Sequence, residues 1–121
     1  MDFMESLVGI PYKDGGLSPE EGFDCWGLVR WVIRRGLGTV LPEKPIAWRR
    51  HGRVLPFSPD AVQRYDILFF NDDAGIVTHI GVANSRTDFT HANQYCKSVV
   101  CEPINKYRDN IRAIGRVEHA A

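Results

Sequence analysis

The 121-residue chain has no CxxC pair and only three cysteines, Cys25, Cys96 and Cys101. That excludes a zinc ribbon and a redox dithiol of the usual spacing. An odd number of thiols cannot all pair. Cys96 and Cys101 lie in a stretch that reads as strand, and their odd spacing sends them to opposite faces. They read as small buried hydrophobes. The charges have no bias: 15 Lys and Arg face 15 Asp and Glu, so nothing electrostatic recommends nucleic acid or a membrane surface as partner. No apolar run approaches the ~18 residues of a membrane span. Met1 to Gly9 carries acids but no Lys or Arg and does not read as a secretory signal. The expectation is a protein made in the cytoplasm with no export route of its own. Internal repeats and low-complexity tracts are also missing.

What is present fits one domain over residues 1–121. Hydrophobic residues make up 44% of the chain, enough for one core. Asp2 to Val8 predicts a short helix capped by Asp2 and ended by Gly9. Gly15, Gly16, Pro19 and Gly22 make 11–22 a loop. The clearest helix starts at Cys25, because the positions i, i+3, i+4, i+7 and i+8 hold Cys25, Leu28, Val29, Val32 and Ile33. Asp24 is its expected N-cap, Gly36 its expected left-handed end, and Arg34 and Arg35 suit its last turn. Four prolines make 38–59 irregular. Its basic cluster, Arg49, Arg50, His51 and Arg53, is a solvated loop or a wall for a carboxylate-bearing substrate. Strands are expected over 65–70, 78–84 and 88–95, with 97–101 continuing the third, and over 111–117. Helices first and sequential strands after predict α+β with an antiparallel sheet.

Cys25 stands where a helix start favours a thiolate, the nucleophilic form of cysteine. Position alone leaves it reactive or inert. A base has to reach it. His79, in Thr78-His79-Ile80-Gly81, shares its strand face with Gly81 and Ala83, which leave room for an imidazole. His91 follows twelve residues later. A hairpin with a three-residue loop, 84–86, would make paired positions sum to 170 and set His79 directly opposite His91. One ring could then act as base while the other orients it. The competing use of Cys25, His79 and His91 is as three ligands of a zinc ion, and the lack of a nearby acidic base argues against it. His51 and His119 read as solvent-facing and receive no role.

Several blocks, in order, resemble the NlpC-type family of cell-wall cysteine peptidases. They are Pro11-Tyr12 with Gly15-Gly16, Asp24-Cys25 with Gly27-Leu28-Val29, Leu41-Pro42, Asp66 to Phe70, His79 to Val82, and His91-Ala92. The resemblance implies a minimal papain-like fold with N-terminal helices packed on an antiparallel sheet. It implies hydrolysis of peptidoglycan stem peptides between D-glutamate and a diamino acid such as diaminopimelate, without cofactor or metal. It makes Cys25 the nucleophile, His79 the base and His91 the orienting residue. Tyr12 matches the family tyrosine near the thiol, where it contacts the thiol or the oxyanion, or packs a loop. The Cys25 backbone N–H is a candidate oxyanion donor. Asp24 caps the helix or binds a substrate amine. Trp26 replaces the usual serine and forms an apolar wall or packs. Tyr65 replaces the usual glycine before Asp66. The Asp24 to Val29 version, without signal or wall-binding repeats, is similar to the subset carried by phage tails, which would deliver the enzyme to the wall. A non-catalytic tail or wall-binding module and a thiol acyltransferase are the alternatives; the order cysteine before histidine runs against the latter.

Overall fold

A computed structural model describes residues 2–118; His119 lies outside the described residues. A two-stranded ribbon, β1 (Leu17–Ser18) and β2 (Gly22–Phe23), leads into the helix α1 (Cys25–Leu37). The strands β3 (Gly52–Leu55), β4 (Ile67–Asn71), β5 (Val77–Ala83), β6 (Asp88–Asn93), β7 (Ser98–Pro103) and β8 (Ile111–Val117) form one antiparallel sheet in the order β3-β8-β4-β5-β6-β7. The expected α+β class with an antiparallel sheet is what the chain adopts.

The sheet is buried on both faces. Leu28, Val29, Val32 and Ile33 of α1 pack with Ile67, Ile80, Val82, Ala92 and Val99 on one side. Each of these α1 side chains is fully buried and contributes about 1.5–3 kcal/mol by leaving water. Leu68, Phe70, Ala83, Phe89, Ile111 and Ile114 point the other way, beneath Ile104. That second layer is closed by a 3₁₀ segment, Ile104–Asn110, which folds back after β7.

Asp24 caps α1 by accepting from the Gly27 N–H at 2.6 Å. The left-handed end is Gly38, not Gly36: Gly38 has φ 73 and donates its N–H to the Arg34 carbonyl. Gly36 is needed for another reason. A Cβ there would lie 2.4 Å from the ring of Tyr65. Tyr65 itself has φ 73, the conformation that favours the glycine usual at this position. Its ring is held over Gly36, stacked on Phe3 and covered by the Arg64 guanidinium.

Other boundaries move. The N-terminal helix is only a 3₁₀ turn, Glu5–Leu7, although Asp2 does accept from the Met4 N–H. Within 38–59 the chain makes a 3₁₀ segment, Pro45–His51, and the edge strand β3. Proline did not prevent either, because β3 lies between prolines and takes its partner from the distant β8. Residues 94–97 turn the chain, so β7 is a separate strand antiparallel to β6. Cys96 and Cys101 are exposed, which corrects their reading as core residues: one sits in that turn, the other in the edge strand β7.

Candidate active site

Strands β5, β6 and β7 each send one titratable side chain to the same face of the sheet. The β5–β6 register is Val82↔Thr90 and Ala83↔Phe89. Asn84 extends it by donating to the Asp88 carbonyl. Paired positions therefore sum to 172, two more than expected from a three-residue loop, and His79 and His91 are diagonal rather than opposite. A slip of two preserves the face, where a slip of one would have lost it. The diagonal suffices: His79 Nε2 and His91 Nδ1 are 2.8 Å apart. On the other side His91 pairs with Val100, so its diagonal neighbour on β7 is Glu102. The His91 Nε2 to Glu102 Oε2 distance is 2.6 Å. Phe70 and Phe89 form the bed beneath both rings.

The thiol enters through a gap in the sheet. Ala83 uses both main-chain groups toward β4, with Tyr65 and Asp66. Alternation then turns those of Val82 and Ile80 toward β6. The β5–β6 ladder runs only through Val82↔Thr90 and Ala83↔Phe89, so the strands part before Ile80. The Ile80 N–H meets the Cys25 sulfur there, and the N–H groups of Cys25 and Trp26 at the start of α1 reach the same sulfur. Tyr12, Cys25, His79 and His91 line one pocket. Tyr12 is fixed by its N–H on the Lys97 carbonyl and by a bridge to Phe23.

Burial pushes the Cys25 thiol up, with help from the charge of Asp24, against the pull of the three N–H groups. The helix start therefore does not by itself make a standing thiolate. Burial also pushes His79 down to about 4, aided by His91 and opposed by Glu102. His91 is lowered by burial and raised in part by Glu102. Burial raises Glu102, but hydrogen bonds from Lys106, His91 and Tyr107 outweigh it and bring the carboxyl to about 2. Burial raises the Tyr12 phenol, with the charges of Cys25 and Asp24 adding to it. At neutral pH the site holds a thiol, two neutral imidazoles and a carboxylate.

The remaining expected site residues lie around this line. Asp24 is committed to the helix cap at Oδ1. Trp26 is 6% exposed, and its indole N–H donates to the Pro42 carbonyl at 2.9 Å; it packs in the core under α1 rather than lining the pocket. The cluster Arg49, Arg50, His51 and Arg53 also lies away from the pocket, with Arg53 paired to Glu118. The zinc alternative needs three lone pairs aimed at one point, whereas His79 Nε2 and His91 Nδ1 face each other. Glu102 is the site residue that the sequence reading missed. Its signal was parity: once 94–97 is a turn, a residue eleven after His91 falls on the next strand and the same face.

The NlpC/P60 family model matches residues 9–114. The bifunctional muramidase/DL-endopeptidase CwlT of Bacillus subtilis is 29% identical over 98% of this chain and 38% of its own length. The gamma-DL-glutamyl hydrolase of Bacillus subtilis is 31% identical over 74% of this chain and 22% of its own. The chain thus spans well under half the length of these curated relatives. The crystal structure of the NlpC/p60 domain of the peptidoglycan hydrolase SagA superposes with a TM-score of 0.76 at 24% identity, covering 94% of this chain and 92% of that one. With the match running through the cysteine helix and all but the last residues of β8, the chain belongs to the NlpC/P60 family.

Proposed function

We propose that this chain is a cysteine endopeptidase that hydrolyses peptidoglycan stem peptides at the amide between D-glutamate and a diamino acid. The observation that carries the reading is the line Cys25, His79, His91: a thiol at a helix start and two bonded imidazoles lining one pocket. The names of the relatives, a DL-endopeptidase and a gamma-DL-glutamyl hydrolase, support a bond to D-glutamate.

His79 Nε2 is taken by His91, which leaves Nδ1 for the thiol. As Sγ attacks the carbonyl carbon, the thiol proton passes to Nδ1. The carbonyl oxygen becomes an oxyanion, for which the Cys25 N–H is the candidate donor; Tyr12 lines the same pocket. The C–N bond then breaks, and the leaving amine takes the proton from Nδ1. Water adds to the thioester, gives a proton to Nδ1, and displaces sulfur, which recovers that proton. The products are a carboxylic acid, which gives its remaining proton to solvent or to the amine, and an amine.

Digestion of purified sacculi, followed by mass analysis, tests the bond. Fragments with a newly freed amine on the diamino acid are expected. Cleavage of glycan strands, or of the sugar–peptide amide alone, would show the assignment to be wrong. Delivery by a phage-tail-like particle belongs to the same proposal, on the strength of the Asp24 to Val29 block. Purified particles that lack the chain would remove it.

The acid limb of activity follows from His79. It must be neutral to accept a proton, and burial holds it neutral down to about pH 4. As pH falls through that value the ring charges and turnover stops. A profile of kcat/KM, which reports the free enzyme, should therefore stay high through pH 6 and break near 4. A break at the ordinary histidine value, about 6.5, would contradict the buried base.

A further inference from the structure

We infer that Glu102 is a positioning residue, resting on the peptidase reading above: its carboxylate, clamped by Lys106 and Tyr107, fixes the tautomer of His91 and through it that of His79. Both carboxylate oxygens are occupied. Lys106 Nζ donates to Oε1 at 2.8 Å, and the Tyr107 hydroxyl donates to Oε2 at 2.9 Å, the oxygen that also faces His91 Nε2 at 2.6 Å. An ionised carboxylate only accepts hydrogen bonds. His91 Nε2 must therefore carry a hydrogen. In a neutral ring that leaves His91 Nδ1 a bare acceptor, so the His79 Nε2 at 2.8 Å must carry the next hydrogen. His79 Nδ1 is then bare, which is what a base facing a thiol requires.

The opposite arrangement shows why the anchor matters. With hydrogen on His91 Nδ1, two acceptor lone pairs would meet between His91 Nε2 and Glu102. His79 would have to accept at Nε2 and carry its hydrogen on Nδ1, where it could not take the thiol proton. A histidine as orienting residue, unlike an amide with fixed donor and acceptor ends, has two tautomers. It needs a group of one fixed polarity behind it, and the buried His91, 3% exposed, has Glu102 in that place. Lys106 and Tyr107 hold that carboxylate in turn.

The test reads the tautomers directly. In ¹⁵N-labelled wild-type protein at neutral pH, long-range ¹H–¹⁵N spectra should show Nε2–H and bare Nδ1 in both rings. Glu102→Ala should lower kcat on the order of 10–100-fold, leave KM unchanged, and give His91 a population with hydrogen on Nδ1. Glu102→Gln keeps an acceptor and should recover most of the loss. Wild-type protein with hydrogen on His91 Nδ1 would overturn the inference without any variant. Wild-type kcat in a folded Glu102→Ala protein would do the same. If His79→Ala is inert while Glu102→Ala is fully active, only the role of Glu102 falls; if His79→Ala stays active, the peptidase reading falls as well.

Discussion

Turnover should fall to background in Cys25→Ala and in His79→Ala, while His91→Ala should lose on the order of 10²–10⁴ in kcat and keep a measurable remainder. The difference follows from what each group touches. In the proposed reaction Cys25 supplies the bond-forming sulfur and His79 Nδ1 moves its proton. His91 touches neither the substrate nor the thiol proton. It holds His79 through one 2.8 Å contact, so its loss leaves nucleophile, base and main-chain donors in place but the imidazole free to turn. Asn or Gln at position 91 should restore part of the rate by returning an acceptor. KM should change little, because an orienting group acts mainly in the transition state. Steady-state kinetics on a stem-peptide substrate measure all of this. A His91→Ala protein with wild-type kcat would show the second ring to be only a strand residue. The substitution at Cys25 is small and partly buried, so the fold should persist and circular dichroism should not change.

The second large effect concerns stability. Asp66 is 2% exposed and grips Arg116 through two bonds, Nε to Oδ1 at 3.0 Å and Nη2 to Oδ2 at 2.8 Å. It also accepts from the Gln63 N–H, and Arg116 donates to the Ala61 carbonyl. This clasp ties the loop before β4 to β8. Arg116→Ala would leave a buried carboxylate without its partner, and the expected cost is about 3–5 kcal/mol. That is a large share of the roughly 5–15 kcal/mol that holds a domain folded. The double variant Asp66→Ala/Arg116→Ala should cost less than the two single changes together, since neither charge is then stranded. Urea denaturation gives each value. Additive losses would mean that the pair does not act as a unit.

Parity and helix periodicity carried most of what could be read from the residues alone. The period-3.6 stripe from Cys25 to Ile33 marked α1 and its start within a residue, because one apolar face and an aspartate cap are local signals. The strand β8 was legible from a local signal of another kind, a short run from Ile111 to Val117 with Ile111, Ile114 and Val117 apolar. His79 and His91 were placed together from an incorrect loop length, and the conclusion held because the error was even. Glu102 was missed because its partner strand depends on the turn at 94–97, which offers no glycine or proline. β3 was missed because its pairing with β8 joins residues more than fifty apart, and Arg53 and Val54 on an edge give no alternating pattern. Gly36 looked like a helix end, yet its need is the Tyr65 ring, a contact no local rule contains.

The sheet order has a consequence for biosynthesis. β8, the last of the described strands to leave a ribosome, is not at an edge but lies between β3 and β4. Until residues 111–117 emerge, β3 has no neighbour and β4 lacks one of its two. Vectorial folding from the N-terminus therefore stalls short of a closed core, and pairings of such long sequence separation form slowly. A nascent chain can pair β4 to β7, which carry both histidines and Glu102, but it lacks the strand that joins β3 to the rest of the sheet until 111–117 emerge.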